Sequence, residues 1–272
     1  MADLTRRTAL TSSVAAAGAL VLPTAAKGAP HQVHRGRPRM PSGVAMGDVT
    51  TNGGVLWARA DRPSRMVATL KGPGRSRRAL RGPWVSGRTD HVGKIDLRHL
   101  PPGRRHEIEV AFEDDHGRRG ESEDVSFTTA SRGRGEQSFV WTGDTAGQGW
   151  GINPDIGGYV AYRAMHDTRP DFFVHCGDTI YADGPIEDKV TEEDGQVWRN
   201  LVIPEVTDYA QTLAEFRGRH RYNHLDDNLR AMYAEVPVLA QWDDHETTNN
   251  WYPGEVLEDE HYDRESRVDV LA

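Results

Sequence analysis

Three short apolar runs in this chain end on aspartate. SFVWTGD places Asp144, DFFVHCGD places Asp178, and PVLAQWDDHE places Asp243 and Asp244 with His245 directly behind them. One aspartate after a strand commonly caps a turn or the next helix. Three at equivalent ends call for another reason, because ligand sites of layered α/β sheets form beyond the carboxyl ends of their strands. Carboxylates gathered there repel one another unless cations neutralise them, and their hard oxygens suit divalent or ferric ions. Asp178 has two oxygens with which to bridge two cations. Tyr181 offers a phenolate to a strongly Lewis-acidic ion such as ferric iron, Asn249 a neutral amide oxygen, and His245 an imidazole ligand or a general acid. A metal site is the chemistry these residue types support.

The elements that position them follow from the apolar pattern. SFVWTGD, DFFVHCGD and VLAQW read as strands, while YVAYRAMHDTRP, TDYAQTLAEFRGRHRYN and LDDNLRAMYAEV read as helices, the first stopped by Pro170. Strand, helix, strand, helices, strand is a layered α/β order, expected over residues 136–272. Upstream, residues 41–131 hold short β-type runs at Val55 to Arg59, Met66 to Leu70, Val92 to Leu97, Ile108 to Phe112 and Val125 to Thr128. Turns such as KGPG, PPG and DDHG separate them, which suggests a small antiparallel β-sandwich. Asp48, His91 and His99 fall between those runs and read as turn and surface groups. His220 and His224 stand at i and i+4, but in an arginine-rich polar stretch that reads as solvated surface rather than a metal site. GQGWGINPDIGG, with Trp150 and Asn153, is expected to line the site mouth beside Asp144.

The N-terminus carries Arg6 and Arg7 ahead of a mild Ala/Val/Leu stretch broken by Pro23, with no charged residue from Thr8 to Ala26. This is the layout of a twin-arginine signal peptide, expected over residues 1–30 with cleavage near Ala26. The stretch is too short and too polar for a stable membrane span. Export by the twin-arginine machinery, to a periplasmic, cell-surface or secreted location, delivers a protein folded beforehand and is compatible with a metal loaded inside the cell. Residues 31–40 read as a basic, proline-punctuated linker. A net charge of −8 argues against a nucleic-acid binder that relies on phosphate neutralisation. The single cysteine, Cys176, excludes an intrachain disulfide and a CxxC zinc site, and its apolar strand suggests a buried thiol.

The segments SGVAMGDVTTNGGVLWAR, FVHCGDTIYADG and VPVLAQWDDHETTNNW, in this order, resemble the alkaline phosphatase D (PhoD-like) family of metallophosphoesterases from about Pro41 onward. The resemblance implies a sandwich followed by a layered metallophosphoesterase domain that hydrolyses phosphate mono- or diesters, of small molecules or lipids, at an iron and calcium cluster. By position, Asp178 looks like the carboxylate shared between metals and Tyr181 like the phenolate on iron. Asp244 and Asn249 resemble second-metal ligands, and His245 the histidine near the leaving group. Many relatives carry cysteine where this chain has Asp144, a hard carboxylate that favours oxygen-loving ions. The family's catalytic domain continues well past this length and supplies further ligands. The end of the chain, EHYDRESRVDVLA, has a helix-like pattern without a terminating Gly or Pro, so a domain incomplete at its C-terminus, with weak or no activity alone, is expected. The contrasting reading is an exported binding module whose aspartates hold a structural calcium. A serine hydrolase has no support, since no G-x-S-x-G follows a strand.

Overall fold

Alternating apolar and polar residues build seven strands in the first half of the chain. They are β1 (Val44–Gly47), β2 (Gly54–Arg59), β3 (Ser64–Lys71), β4 (Arg77–Val85), β5 (Val92–Leu97), β6 (Arg105–Glu113) and β7 (Glu123–Thr128). The computed structural model describes residues 36–72, 76–257, 259–262 and 266–267; the expected signal, including Arg6 and Arg7, lies outside the described residues. No helix among the described residues is long and apolar enough to cross a membrane. The end of the expected linker is packed: Met40 is buried, and the Arg39 backbone exchanges hydrogen bonds with Asp61.

β4, β3, β6 and β7 form a four-stranded antiparallel sheet in that order, and β5, β2 and β1 pair antiparallel as a second layer. Met46, Leu56 and Ala58 of that layer share one buried cluster with Met66, Ile108 and Phe112 of the other. Period-two alternation sends every second side chain inward, which is why these short runs were legible as strands. Neither β1 nor β4 was expected. The β4 sequence RRALRGPWV is charged and largely exposed because it is an edge strand, and its pairing with β3 skips Gly82 and Pro83. A proline without an N–H is tolerated at such a bulge. Asp48, His91 and His99 all take left-handed φ, at 49°, 59° and 61°, as turn residues do.

The second half contains β8 (Phe139–Thr142), α1 (Val160–Asp167), β9 (Phe172–His175), a small hairpin of β10 (Lys189–Thr191) and β11 (Val197–Arg199), α2 (Leu213–Asn223), α3 (Asp227–Glu235) and β12 (Val238–Ala240). A capping box of Thr212 and Glu215 starts α2. Asp226 caps α3 at the Leu229 N–H, and its other oxygen accepts from the Tyr159 N–H, tying α3 to the start of α1. β8, β9 and β12 run parallel, so their carboxyl ends lie side by side. β12 also pairs parallel with β1 at Gly47 and Val238, which joins both halves of the chain in one six-stranded sheet, β5-β2-β1-β12-β9-β8.

One face of the parallel strands is covered by α1 and α3, with Phe173 packed among Tyr162, Leu229, Met232 and Val236. The opposite face carries Phe139, Trp141 and Leu239, all exposed. Cys176 is half-buried, just past β9. The helix-like pattern near the C-terminus is not a helix where it is described: β14 (Ser266–Arg267) pairs with β13 (Val256–Leu257), and pairing partners outside the segment override the local pattern.

Candidate metal centre

Each strand end delivers its carboxylate through a sharp turn. Asp178 and Asp144 adopt left-handed φ of 51° and 56°, a conformation costly for most side chains but tolerated by aspartate. The turns hold each other: the Asp144 N–H donates to the Gly177 carbonyl and the Thr145 N–H to that of Asp178. Gly177, at φ 101°, is required twice over, because a Cβ there would lie 2.3 Å from Cβ of Asp243. A Cβ on Gly147 would lie 2.1 Å from the Tyr181 ring, so that glycine lets the loop after β8 pass under the phenol.

The structure brings Asp178, Asp244 and His245 together, with one candidate ligand atom from each within 4.8 Å of the others. Asp144 joins this group through Tyr181, whose hydroxyl donates to its carboxylate at 2.5 Å. The Tyr181 ring stacks on His245 with centroids 4.3 Å apart. Asn249 is brought close by its backbone, its N–H donating to Asp183 at 2.7 Å, while among the described residues no hydrogen bond holds its exposed amide in the group.

Two carboxylates that sequence reading gave no role organise the rest. Asp183 accepts from His245 Nδ1 at 2.8 and 2.9 Å as well as from the Asn249 N–H, so a single side chain orients two of the expected site residues. With Nδ1 committed, Nε2 is the ring atom left for a ligand. Glu246, buried, accepts from the N–H groups of Asp178, Thr179 and Asp243 and from the Thr179 hydroxyl, clamping the loop after β9 to the loop after β12. The signal for Asp183 was the second acidic residue of GDTIYAD. Its pairing with a histidine more than sixty positions away was not visible in the sequence.

Electrostatics mark the cluster as short of positive charge. Burial, together with the charges of Asp243 and Asp244, pushes the Asp178 carboxyl up to about 6 against the pull of the His245 N–H. Burial and the hydrogen bond to Asp144 raise the Tyr181 phenol. Burial would lower His245, but the Asp183 hydrogen bond and charge outweigh it and the imidazole is raised. None of the ion pairs among the described residues joins lysine or arginine to Asp144, Asp178, Asp243 or Asp244. Oxygen donors with one imidazole and no compensating side-chain cation suit a hard metal ion.

Two expectations about neighbouring residues are corrected. Asn153 does not line the site mouth: it is buried, and its side chain caps the turn at Pro154–Ile156 by accepting from the Asp155 N–H. His224 is not solvated surface. It is half-buried and stacked on Trp57 at 4.9 Å, and burial, helped by His220, lowers it to about 4. His220 is exposed, as expected.

Comparison with known proteins bears on this geometry. The PhoD-like phosphatase family matches residues 139–272, and the PhoD-like phosphatase N-terminal domain matches residues 24–123. Alkaline phosphatase D of Bacillus subtilis (strain 168) is 27% identical over 226 residues, which are 77% of this chain and 35% of that protein. The solved structure of PhoD superposes with a TM-score of 0.61 at 22% identity, covering 81% of this chain and 42% of the other. A purple acid phosphatase from yellow lupin seeds gives 0.52 at 12% identity, over 84% of this chain and 38% of its own. The chain thus spans well under half the length of these relatives and shares a metallophosphoesterase-like fold with them. With both halves of the sequence matched, the chain belongs to the PhoD-like phosphatase family.

Proposed function

We propose that the protein is an exported, metal-dependent phosphoesterase that hydrolyses phosphate mono- or diesters of small molecules or lipids. The observation that carries this reading is the convergence of Asp178, Asp244 and His245 within 4.8 Å at the ends of parallel strands, without a paired lysine or arginine among the described residues. A cluster of carboxylates repels a phosphate ester, so the site accepts such a substrate only when cations are held there. Calcium and ferric iron are the family's ions and match the hard donors; Asp144 and Asn249 stand at the edges of the same group.

A bound metal lowers the pKa of water and screens the approach of one anion to another. The chain's own residues do the rest. Asp178 and Asp244 would hold the cations. Tyr181, whose hydroxyl donates to Asp144, would be held beside the iron as a candidate phenolate ligand, with the Asp144 carboxylate placed to take its proton. Asp183 keeps His245 Nδ1 occupied, which leaves Nε2 to protonate the departing alkoxide or to stabilise its charge. Glu246 sets the spacing of the two loops so that Asp178 and Asp244 face one centre. Export rests on Arg6 and Arg7 in the sequence.

The test is to fold the chain with iron and calcium, quantify bound metal per chain, and assay a phosphomonoester and a phosphodiester in parallel. Bound metal that disappears in Asp178→Asn supports the reading. A demonstrably folded chain that binds neither ion sinks it.

A further inference from the structure

Next to Asp144 lies a cavity of about 280 Å³ that the metal chemistry does not use. Its walls are Trp150, Trp198, Ile156, Tyr159 and Met165, and Asp144 stands in the same lining. Among the described residues no lysine or arginine lines it. Trp150 and Ile156 are 38% and 45% exposed, an apolar cluster at the rim of a charged centre where water-facing side chains would otherwise be expected.

Both indoles are held in place. Trp150 Nε1 donates to Glu192 at 2.8 Å, and Trp198 Nε1 donates to the Asn200 side-chain oxygen at 2.9 Å. Asn200 in turn donates to the carbonyls of Gly149 and Glu187, and accepts from the Gly151 N–H. Trp198 lies on β11, and Glu192 follows β10, so the small hairpin braces both walls beside the loop that carries Asp144. Aromatic walls oriented in advance by hydrogen bonds recognise a flat apolar group at little entropic cost.

We propose that this cavity receives the organic part of the ester: a single planar aromatic or heteroaromatic ring, with the phosphoryl group directed toward the metal centre past Asp144. This inference rests on the phosphoesterase reading and adds a substrate class to it. The volume admits one ring system and is too small for a long acyl chain, and the absence of cations places the phosphoryl group outside it.

The probes are phenylphosphonate and methylphosphonate, titrated by calorimetry into the calcium-loaded chain, with phenol followed separately through the tryptophan indole N–H signals. Phenylphosphonate is expected to bind about tenfold more tightly than methylphosphonate. Trp198→Ala and Trp150→Ala, and the milder Trp150→Phe if folding suffers, should each erode that preference while leaving methylphosphonate within about twofold. Equal affinity for both phosphonates, or a ring preference that survives both tryptophan replacements, overturns the proposal and leaves the phosphoesterase reading intact. If neither phosphonate binds but phenol still shifts the indole signals of Trp150 and Trp198, the ring site stands and the phosphoesterase reading fails. Absence of phenol binding as well overturns the ring site too.

Discussion

The two halves of the six-stranded sheet answer to different demands. Around β1, β2 and β5 the side chains facing the second sheet are buried almost completely, and polar residues such as Asp48 and His99 are left to the turns. Around β8, β9 and β12 the same sheet exposes Phe139 and Trp141, bends two aspartates into left-handed turns, and buries Asp178 beside other carboxylates, which raises it to about 6. One region is organised to be stable, whereas the other keeps unfavourable charge in place that a cation would relieve. Stability and ligand binding should therefore separate on mutation.

The largest separation is expected from Phe112→Ala in the sheet-on-sheet core. Its side chain is 1% exposed, and the cavity left should cost about 3–5 kcal/mol in urea unfolding, with metal affinity per folded chain unchanged. If affinity falls in parallel, the halves are coupled and the division is wrong.

A pH effect of similar size should come from His224. Its folded pKa of about 4 lies below the ordinary 6.5, so the folded chain refuses a proton that the unfolded chain accepts. Stability present above pH 6.5 is lost as pH falls toward 4, by on the order of 3 kcal/mol. Denaturant midpoints measured across this range should slope in the parent and flatten in His224→Gln.

At the site, Asp183→Asn should weaken metal binding by about 10–100-fold, since the group that orients His245 and the Asn249 backbone loses its charge. The melting temperature of the metal-free chain should barely move, and a large drop would make Asp183 a structural residue instead. The smallest effect has the opposite sign. Asp178→Asn keeps an oxygen for the His245 N–H and tolerates the left-handed turn, while removing the charge that its neighbours oppose. We expect the metal-free chain to gain roughly 1 kcal/mol at neutral pH, solvent screening allowed for. Destabilisation in calorimetry would show that the Asp178 charge has a partner within the fold.

What could be read from the residues alone was local. Val92 to Leu97 and the run beginning at Val55 alternate strongly enough to be strands whatever surrounds them, and Pro170 had to end α1. Asp144, Asp178 and Asp244 were recognisable because strand ends in parallel sheets meet at one edge. The β4 edge escaped notice because its partner lies on one side only, which leaves its sequence free to be charged. His224 looked polar and exposed, yet Trp57 from β2 covers it, a contact between residues 167 positions apart. The sequence by itself determined the strongly alternating strands, the helix stops and the aspartates at strand tips, because period, proline and capping chemistry act within a few residues. Only the tertiary structure decided that Asp183 would hold His245, that Glu246 would clamp two loops, and that Trp150 and Trp198 would wall one cavity. Those pairings depend on which strand ends become neighbours, and the parallel order of β8, β9 and β12 sets that.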